Sequence, residues 1–414
     1  MKEVLVNVIG LGYIGLPTAM MMAAHGVNVV GTDYNENLVN KLQNGEMTFE
    51  EDGIDELFAE ANKKGIKFTT KYQKAEIYII CVPTPYDKIS KKIDPCYVIN
   101  AVNTVLDICS KDSIIVIEST ISPGTIDKYV RPLIGEHNLV DGKDVHLVHA
   151  PERIIPGNMV NELLKNSRTI GADSKEVAEK VKAIYKTFCQ NEIVITDIRT
   201  AEMTKVIENT YRDINIAFAN ELLKICRSDK LDVNEIIRIA NKHPRVNILS
   251  PGPGVGGHCI SVDPWFLVGD YPELARMIRL ARETNDSMPE YVLERVSNIL
   301  QENGLNDYSQ IGFYGITYKE NVDDVRESPT LQLIEKMNSH LATSPKCYDP
   351  MVNKEIVSGQ YFDFKKFLND IKVLVIMVHH NHLDDNLDLI NKKIIFDTRN
   401  SNANFNESNI LYKL

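Results

Sequence analysis

The chain has 414 residues, 43% hydrophobic and 25% charged, and carries a formal net charge of -11. That length exceeds one ordinary core and calls for two or three domains. The acidic balance excludes general affinity for nucleic acid or an anionic membrane, though a local basic pocket can still hold a phosphorylated ligand.

Cysteines stand at 81, 96, 109, 189, 226, 259 and 347, with no CxxC pair and no regular spacing. Neither a disulfide framework nor a metal site is indicated. No apolar run is long enough to cross a bilayer, and no small-residue cleavage site follows MKEVLVNVIGLGYIG, so the reading is a cytoplasmic enzyme with reduced thiols.

Taken in order, Val4 to Ile9 is a β-branched apolar run that ends in Gly10-Leu11-Gly12-Tyr13-Ile14-Gly15. A helix-compatible LPTAMMMAAHG follows, then a second strand, VNVVGTD, ending at Asp33. Gly10 permits the tight turn, Gly12 lets a pyrophosphate approach the backbone, and Gly15 lets helix pack on strand, with the helix N-terminus facing the phosphates. Asp33 is placed to accept from ribose hydroxyls, which favours NAD over NADP. Strands AEIYIICVPTP and SIIVIEST stop at Pro, Ser or Thr. Ligands of open parallel sheets sit at the carboxyl ends of strands, so Pro83, Thr84, Pro85, Ser119 and Thr120 are expected at the cofactor; the plainer reading is that they only end strands. In VHLVHAPERIIPG, Glu152 relays protons near hydride transfer or is a solvated loop acid paired with Arg153; the residues alone leave both open.

Arg199 to His243 contains neither Gly nor Pro, which predicts long helix. Met203, Val206, Ile207, Ile214, Phe218, Leu222 and Ile225 make roughly one stripe, and Lys205 and Asn209 share a face near its edge. Asp232-Val233-Asn234-Glu235 resembles a capping box. The stretch Pro251 to Phe266, PGPGVGGHCISVDPWF, has a composition that makes poor helix and poor strand, so some backbone there bends sharply and approaches something closely. ARETNDSMPEYVLERVSNILQEN reads as helical. The strand pattern then resumes at QIGFYGITYK, PKCYDP, IKVLVIMVHH and KKIIFDTRN, a smaller second doubly wound sheet that echoes the first in having a strand end at an Asp, Asp349, but lacks GxGxxG.

The motifs GLGYIG, CVPTP, ESTISPGT, APERIIPG, AEMTKVIENTYRDINIAFANE, PGPGVGGHC, GITYKENVDDVRESP and YDP resemble, in order and over nearly the whole chain, the UDP-glucose and GDP-mannose dehydrogenase superfamily. These nucleotide-sugar dehydrogenases oxidise a sugar's primary alcohol to a carboxylate. HPRVNILSPGPGVGGHCISVDPWF and Pro156 are most similar to the branch that acts on UDP-N-acetyl-D-mannosamine; UDP-N-acetylglucosamine and UDP-glucose are the alternative substrates.

The resemblance implies an α/β fold of two Rossmann-like parallel-sheet domains joined by a long central helix that also forms a homodimer. The expected division is 1–198 for NAD, 199–300 for the helical region with the cysteine loop, and 301–414 for the UDP-sugar. Removing four electrons from one carbon requires two NAD molecules in turn and a nucleophile that holds the aldehyde, a role that suits Cys259. A thiol with a pKa of ~8.5 needs assistance to ionise near neutrality, for which His258 and Lys205 are candidates. The resemblance further gives Lys205 and Asn209 to the developing oxyanion, Asp263 to the hydrolytic water, and Thr120 and Glu152 to the first proton. It gives Gly10, Gly12, Tyr13, Ile14, Gly15, Asp33, Pro83, Thr84, Thr120 and Arg326 to the cofactor. Arg153, Arg245 (from a neighbouring subunit), Gly256, His258 and Lys319 join Lys205 and Asn209 at the substrate. Arg326 has a plainer reading as a surface partner of Asp323 or Asp324. Two rival readings are a two-electron hydroxy-acid dehydrogenase, which needs no Cys259, and a NAD-sensing scaffold without chemistry.

Overall fold

The computed structural model describes residues 4–257, 259–341, 345–401 and 403–414. The chain forms two compact units. One extends to Glu208 and includes Phe266–Pro272; the other comprises Asn209–Trp265 and Glu273–Leu414.

The first unit carries an eight-stranded sheet. Its strands are β1 (Leu5–Ile9), β2 (Asn28–Thr32), β3 (Lys67–Thr69), β4 (Ile77–Ile80), β5 (Ser113–Ile117), β6 (Val145–His149), β7 (Arg168–Ala172) and β8 (Ile193–Thr196). They are ordered β3-β2-β1-β4-β5-β6-β7-β8, and the first six follow the dinucleotide-binding order. All neighbours run parallel except β6 and β7, where His149 faces Gly171 in an antiparallel pair. Because helices cover both faces of a parallel sheet, its strands are apolar throughout rather than alternating. Val6, Val8, Ile77, Ile79, Ile114 and Val116 belong to one core, while the intervening Ile9, Tyr78, Ile80, Ile115 and Ile117 are equally buried.

The second unit carries six parallel strands, β9 (Ile311–Tyr314), β10 (Lys346–Tyr348), β11 (Gln360–Tyr361), β12 (Val373–Ile376), β13 (Ile394–Asp397) and β14 (Ile410–Lys413), ordered β11-β10-β9-β12-β13-β14. This repeats the strand order of the first sheet in fewer residues. Val373 and Val375 face one core and Leu374 and Ile376 another, as the period of two along a strand requires. Asp349 follows β10 as Asp33 follows β2. Its Oδ2 accepts the Ile316 and Thr317 N–H groups at 2.6 and 2.9 Å, while Asp33 Oδ2 accepts the Leu11 N–H at 2.8 Å. The two sheets thus tie the turn after their first strand in the same way.

The glycine- and proline-free stretch folds as two helices, Ile198–Ser228 and Val233–Ala240. Asp232 caps the second through the Asn234 and Glu235 N–H groups. Glu235 turns to Arg238 instead of reaching back, so only half of the box forms. The single apolar stripe divides: Val206 is buried, while Ile207, Phe218 and Ile225 are exposed, as is Tyr211 outside the expected stripe. The later helical stretch breaks at Ser287 into Arg276–Asp286 and Met288–Glu302, with Pro289 in the first turn of the second, where a missing N–H costs nothing. Among the described residues no helix is long and apolar enough to cross a membrane.

Candidate functional site

In the first unit the glycine turn is built as close packing demands. A Cβ on Gly10, whose φ is +88°, would lie 2.5 Å from the Cys81 carbonyl oxygen, and one on Gly15 would lie 1.9 Å from the Gly10 oxygen. Gly12 has nothing within 4 Å of such an atom, so the backbone there stands open where a pyrophosphate must approach. Helix Gly15–Ala24 begins at this turn, preceded by Ile14, and the Tyr13 ring packs on Phe49 with centroids 4.7 Å apart. Each Asp33 oxygen accepts one backbone N–H, from Leu11 and from Asn35, and retains acceptor capacity for ribose hydroxyls. These residues fit a dinucleotide.

The ends of β4, β5 and β6 are laced together. Thr84 Oγ1 donates to the Thr120 carbonyl at 2.7 Å, and Ser119 Oγ donates to the Val82 carbonyl at 2.7 Å; Pro83 beside them is exposed. Glu152 is buried and pairs with Arg168. Its other oxygen accepts the Arg153 N–H at 2.6 Å. The Arg153 guanidinium instead grips Glu208 and donates to the Ser167 carbonyl and Thr169 Oγ1. Of the two readings left open for Glu152, the solvated acid paired with the Arg153 side chain is therefore not what forms. Lys205 is buried on helix Ile198–Ser228. One turn earlier, Glu202 accepts the Gly124 and Ile126 N–H groups and so holds the ESTISPGT loop to this helix. Burial pushes the Glu202 carboxyl up to about 7.

In the second unit Cys259 is exposed, and its carbonyl accepts the Val262 and Asp263 N–H groups at 3.1 and 2.8 Å. The DPWF tail, contrary to its composition, opens helix Asp263–Asp270. Asp263 and Pro264 suit a first turn, since an acid complements the helix dipole and Pro needs no donor there. Asn209 Nδ2 donates to Asp263 Oδ2 at 2.6 Å, both residues being buried. Asn209 lies one turn beyond Lys205 on the same helix.

The glycines of PGPGVGG meet GITYKENVDDVRESP. A Cβ on Gly256 would lie 2.6 Å from Tyr318 Cβ, one on Gly257 2.9 Å from the Tyr318 ring, and one on Gly254 3.1 Å from Pro329. The Gly257 N–H donates to the Arg326 carbonyl at 2.9 Å. Burial and the nearby Asp324 and Cys259 push the Tyr318 hydroxyl well up. The Arg326 guanidinium forks onto Asp324 at 2.7 to 3.1 Å and is 45% exposed. Lys319 is half-buried and Arg245 exposed; His258 lies outside the described residues.

The sequence reading missed several features. Asn220 accepts the Gly252 N–H at 2.9 Å and donates to Asn285, which donates to Asp213, itself paired with the fully buried Arg282. Asn215 and Asn241 similarly accept the Leu249 and Ile248 N–H groups, so three asparagines fix the approach to the cysteine loop. His149, wholly buried, bonds the Ile117 carbonyl through Nδ1, and desolvation drives it down to about 3. Its Nε2 has no hydrogen-bond partner among the described residues. Only the mixed helix–loop composition around the asparagines hinted at any of this. Among the described residues no group of three or more His, Cys, Asp or Glu is arranged to hold a metal ion.

Comparison with known proteins matches residues 4–189 to the NAD binding domain of the UDP-glucose/GDP-mannose dehydrogenase family, 199–287 to its central domain and 312–403 to its UDP binding domain. The chain is 45% identical over 406 residues to a UDP-N-acetyl-D-mannosamine dehydrogenase of Methanococcus vannielii, spanning 95% of this chain and 92% of that protein. The solved UDP-N-acetyl-mannosamine dehydrogenase Cap5O of Staphylococcus aureus superposes with a TM-score of 0.88 at 41% identity, covering 99% of this chain and 98% of that one. The corresponding enzyme of Pyrococcus horikoshii gives 0.90 at 35% identity, with the same coverage.

Proposed function

This chain belongs to the UDP-glucose/GDP-mannose dehydrogenase family, and from that premise we propose that it oxidises UDP-N-acetyl-D-mannosamine at C6 to the uronate, for surface polysaccharide synthesis. The observation that carries the chemistry is the buried Asn209–Asp263 pair at the start of the helix whose first turn is tied to the Cys259 carbonyl. A cysteine whose backbone is bonded to the turn that carries a paired amide and carboxylate suits covalent capture followed by hydrolysis, and a two-electron dehydrogenase needs neither.

NAD, when bound by the Gly10–Gly15 turn and Asp33, supplies the hydride acceptor, one molecule for each oxidation. Thr120 and Glu152 take the hydroxyl proton and hold a water in the first step. The Cys259 thiolate adds to the aldehyde carbon, and Lys205 with Asn209 stabilises the oxyanion of the resulting thiohemiacetal. Loss of a second hydride leaves a thioester. Asp263, oriented by Asn209, directs water onto it; the C–S bond breaks, the thiolate is regenerated and the carboxylate leaves. The PGPGVGG backbone, Gly256, His258, Lys319, Arg153 and a neighbouring subunit's Arg245 hold the UDP-sugar, and Arg326 serves the cofactor. Residues 1–198, 199–300 and 301–414 are the corresponding functional divisions.

The substrate is tested by kcat/KM on a panel of UDP-sugars. UDP-N-acetyl-D-mannosamine is expected to exceed UDP-N-acetylglucosamine and UDP-glucose by about tenfold or more; parity or a reversed order refutes the choice. Cys259→Ser should abolish acid formation, and a variant that completes the acid at near-native rate removes the covalent mechanism.

A further inference from the structure

We propose that Arg168 is a positioning residue for the oxidation, holding Glu152 in place and binding the three strand-end motifs of the first unit into one buried assembly. The inference rests on the reading of Glu152 as the group that handles proton and water in the first step.

Topology puts Arg168 there. In a parallel sheet the first residue of a strand lies at the edge opposite the chemistry, but β7 runs against β6, with Val148 facing Ala172 and His149 facing Gly171. The reversal carries the first residue of β7, Arg168, to the carboxyl edge, and the same register continued past the strand sets it opposite Glu152. The ion pair between them is the consequence.

The guanidinium is then used on every side. One arm donates to Glu152 Oε2 and the other to Glu118 Oε1 at 3.1 Å, while its plane lies over Tyr185 at 4.4 Å and Phe188 at 5.3 Å. Glu118 also accepts from the Tyr185 hydroxyl at 3.1 Å and from the Cys81 thiol at 3.0 Å. CVPTP, ESTISPGT and APERIIPG thus meet at one cation, Glu118 and Glu152 bonding it directly and the half-buried Cys81 joining through Glu118. The Arg168 and Glu118 side chains are 4% and 0% exposed. Burial and the neighbouring acids push the Cys81 thiol and Tyr185 hydroxyl up, so both act as neutral donors. Burial also raises Glu118, against the pull of Arg168. Among the described residues Arg168 is the one cation paired with Glu118 and Glu152, and with Glu152 pinned at both oxygens the direction of its remaining lone pairs is fixed. A lysine would keep the charge but lose the fork that reaches both acids at once.

The test compares Arg168→Lys, Arg168→Met, Glu152→Gln and the control Tyr185→Phe by thermal midpoint, NAD affinity and kcat. Arg168→Lys should fold, bind NAD within about threefold of wild type, and lose about 10- to 100-fold in kcat, the scale of a displaced catalytic group. Arg168→Met removes both arms of the fork and should lose at least as much kcat. Where it does not fold, the comparison rests on Arg168→Lys. Native kcat in Arg168→Lys, or a kcat loss matched by the fall in thermal midpoint or in NAD affinity, overturns the proposal. If Glu152→Gln itself runs at native rate, the reading of Glu152 fails, an outcome separate from failure at Arg168.

Discussion

His149 is a wholly buried imidazole one residue before Ala150-Pro151-Glu152, and desolvation holds it neutral down to about pH 3. Its folded pKa is depressed below the unfolded ~6.5, so its contribution to stability is complete above pH ~6.5 and is lost as pH falls toward the folded value. The slope is at most about 1.4 kcal/mol per pH unit. Glu202 and Asp213, pushed up by burial to about 7 and about 6, work in the opposite sense, stabilising most at low pH and less as pH rises through those values. Both remain in a His149→Gln variant, so the difference isolates His149. Thermal midpoints from pH 7 to 4 should fall more steeply for wild type than for His149→Gln; parallel curves contradict the account. Cys259, Asp263 and Asp33 were marked out as candidates in the sequence because each lies in a short motif with a glycine or proline close by. Arg168, His149 and Tyr318 were not. Their roles depend on a strand reversal or on a loop packed from elsewhere in the chain, and neither leaves a local pattern.

The glycine turn and the loop before Cys259 look alike as compositions, but the structure gives their glycines different work. Gly15 is filled by contact, since a Cβ would overlap the Gly10 oxygen at 1.9 Å, whereas Gly12 faces open space. Gly15→Ala should therefore cost on the order of 3 kcal/mol or fail to fold, while Gly12→Ala should keep its thermal midpoint and raise the KM for NAD. Calorimetry with NAD titration checks the pair; a Gly12→Ala protein that binds NAD normally contradicts the assignment of the open face. Helix Ile198–Ser228 was recognisable from its lack of Gly and Pro, but its two apolar faces merged in the periodicity. Only burial separates Val206 and Leu223, inside, from Phe218 and Ile225, outside. The DPWF helix escaped because a single helix N-terminus with Pro in its first turn carries the same letters as a loop.

Over the whole molecule, the repeated strand order and the matching Asp33 and Asp349 bonds made the two-sheet fold readable, since buried parallel strands announce themselves as short apolar runs. Ile207, Tyr211, Phe218 and Ile225 stay exposed along one helix at 49%, 61%, 54% and 53%, spaced four and seven residues apart, as a partner helix requires. This supports the proposed homodimer. Phe218→Asp should convert a dimer into a monomer in sedimentation at micromolar concentration, and a wild-type chain that sediments as a monomer contradicts it. The central claim is that one active thiol carries two oxidations. It is tested most directly by incubating the protein with limiting UDP-N-acetyl-D-mannosamine and excess NAD and counting NADH formed per sugar consumed. The account predicts two NADH per sugar, with the uronate as product; one NADH per sugar, or none, contradicts it.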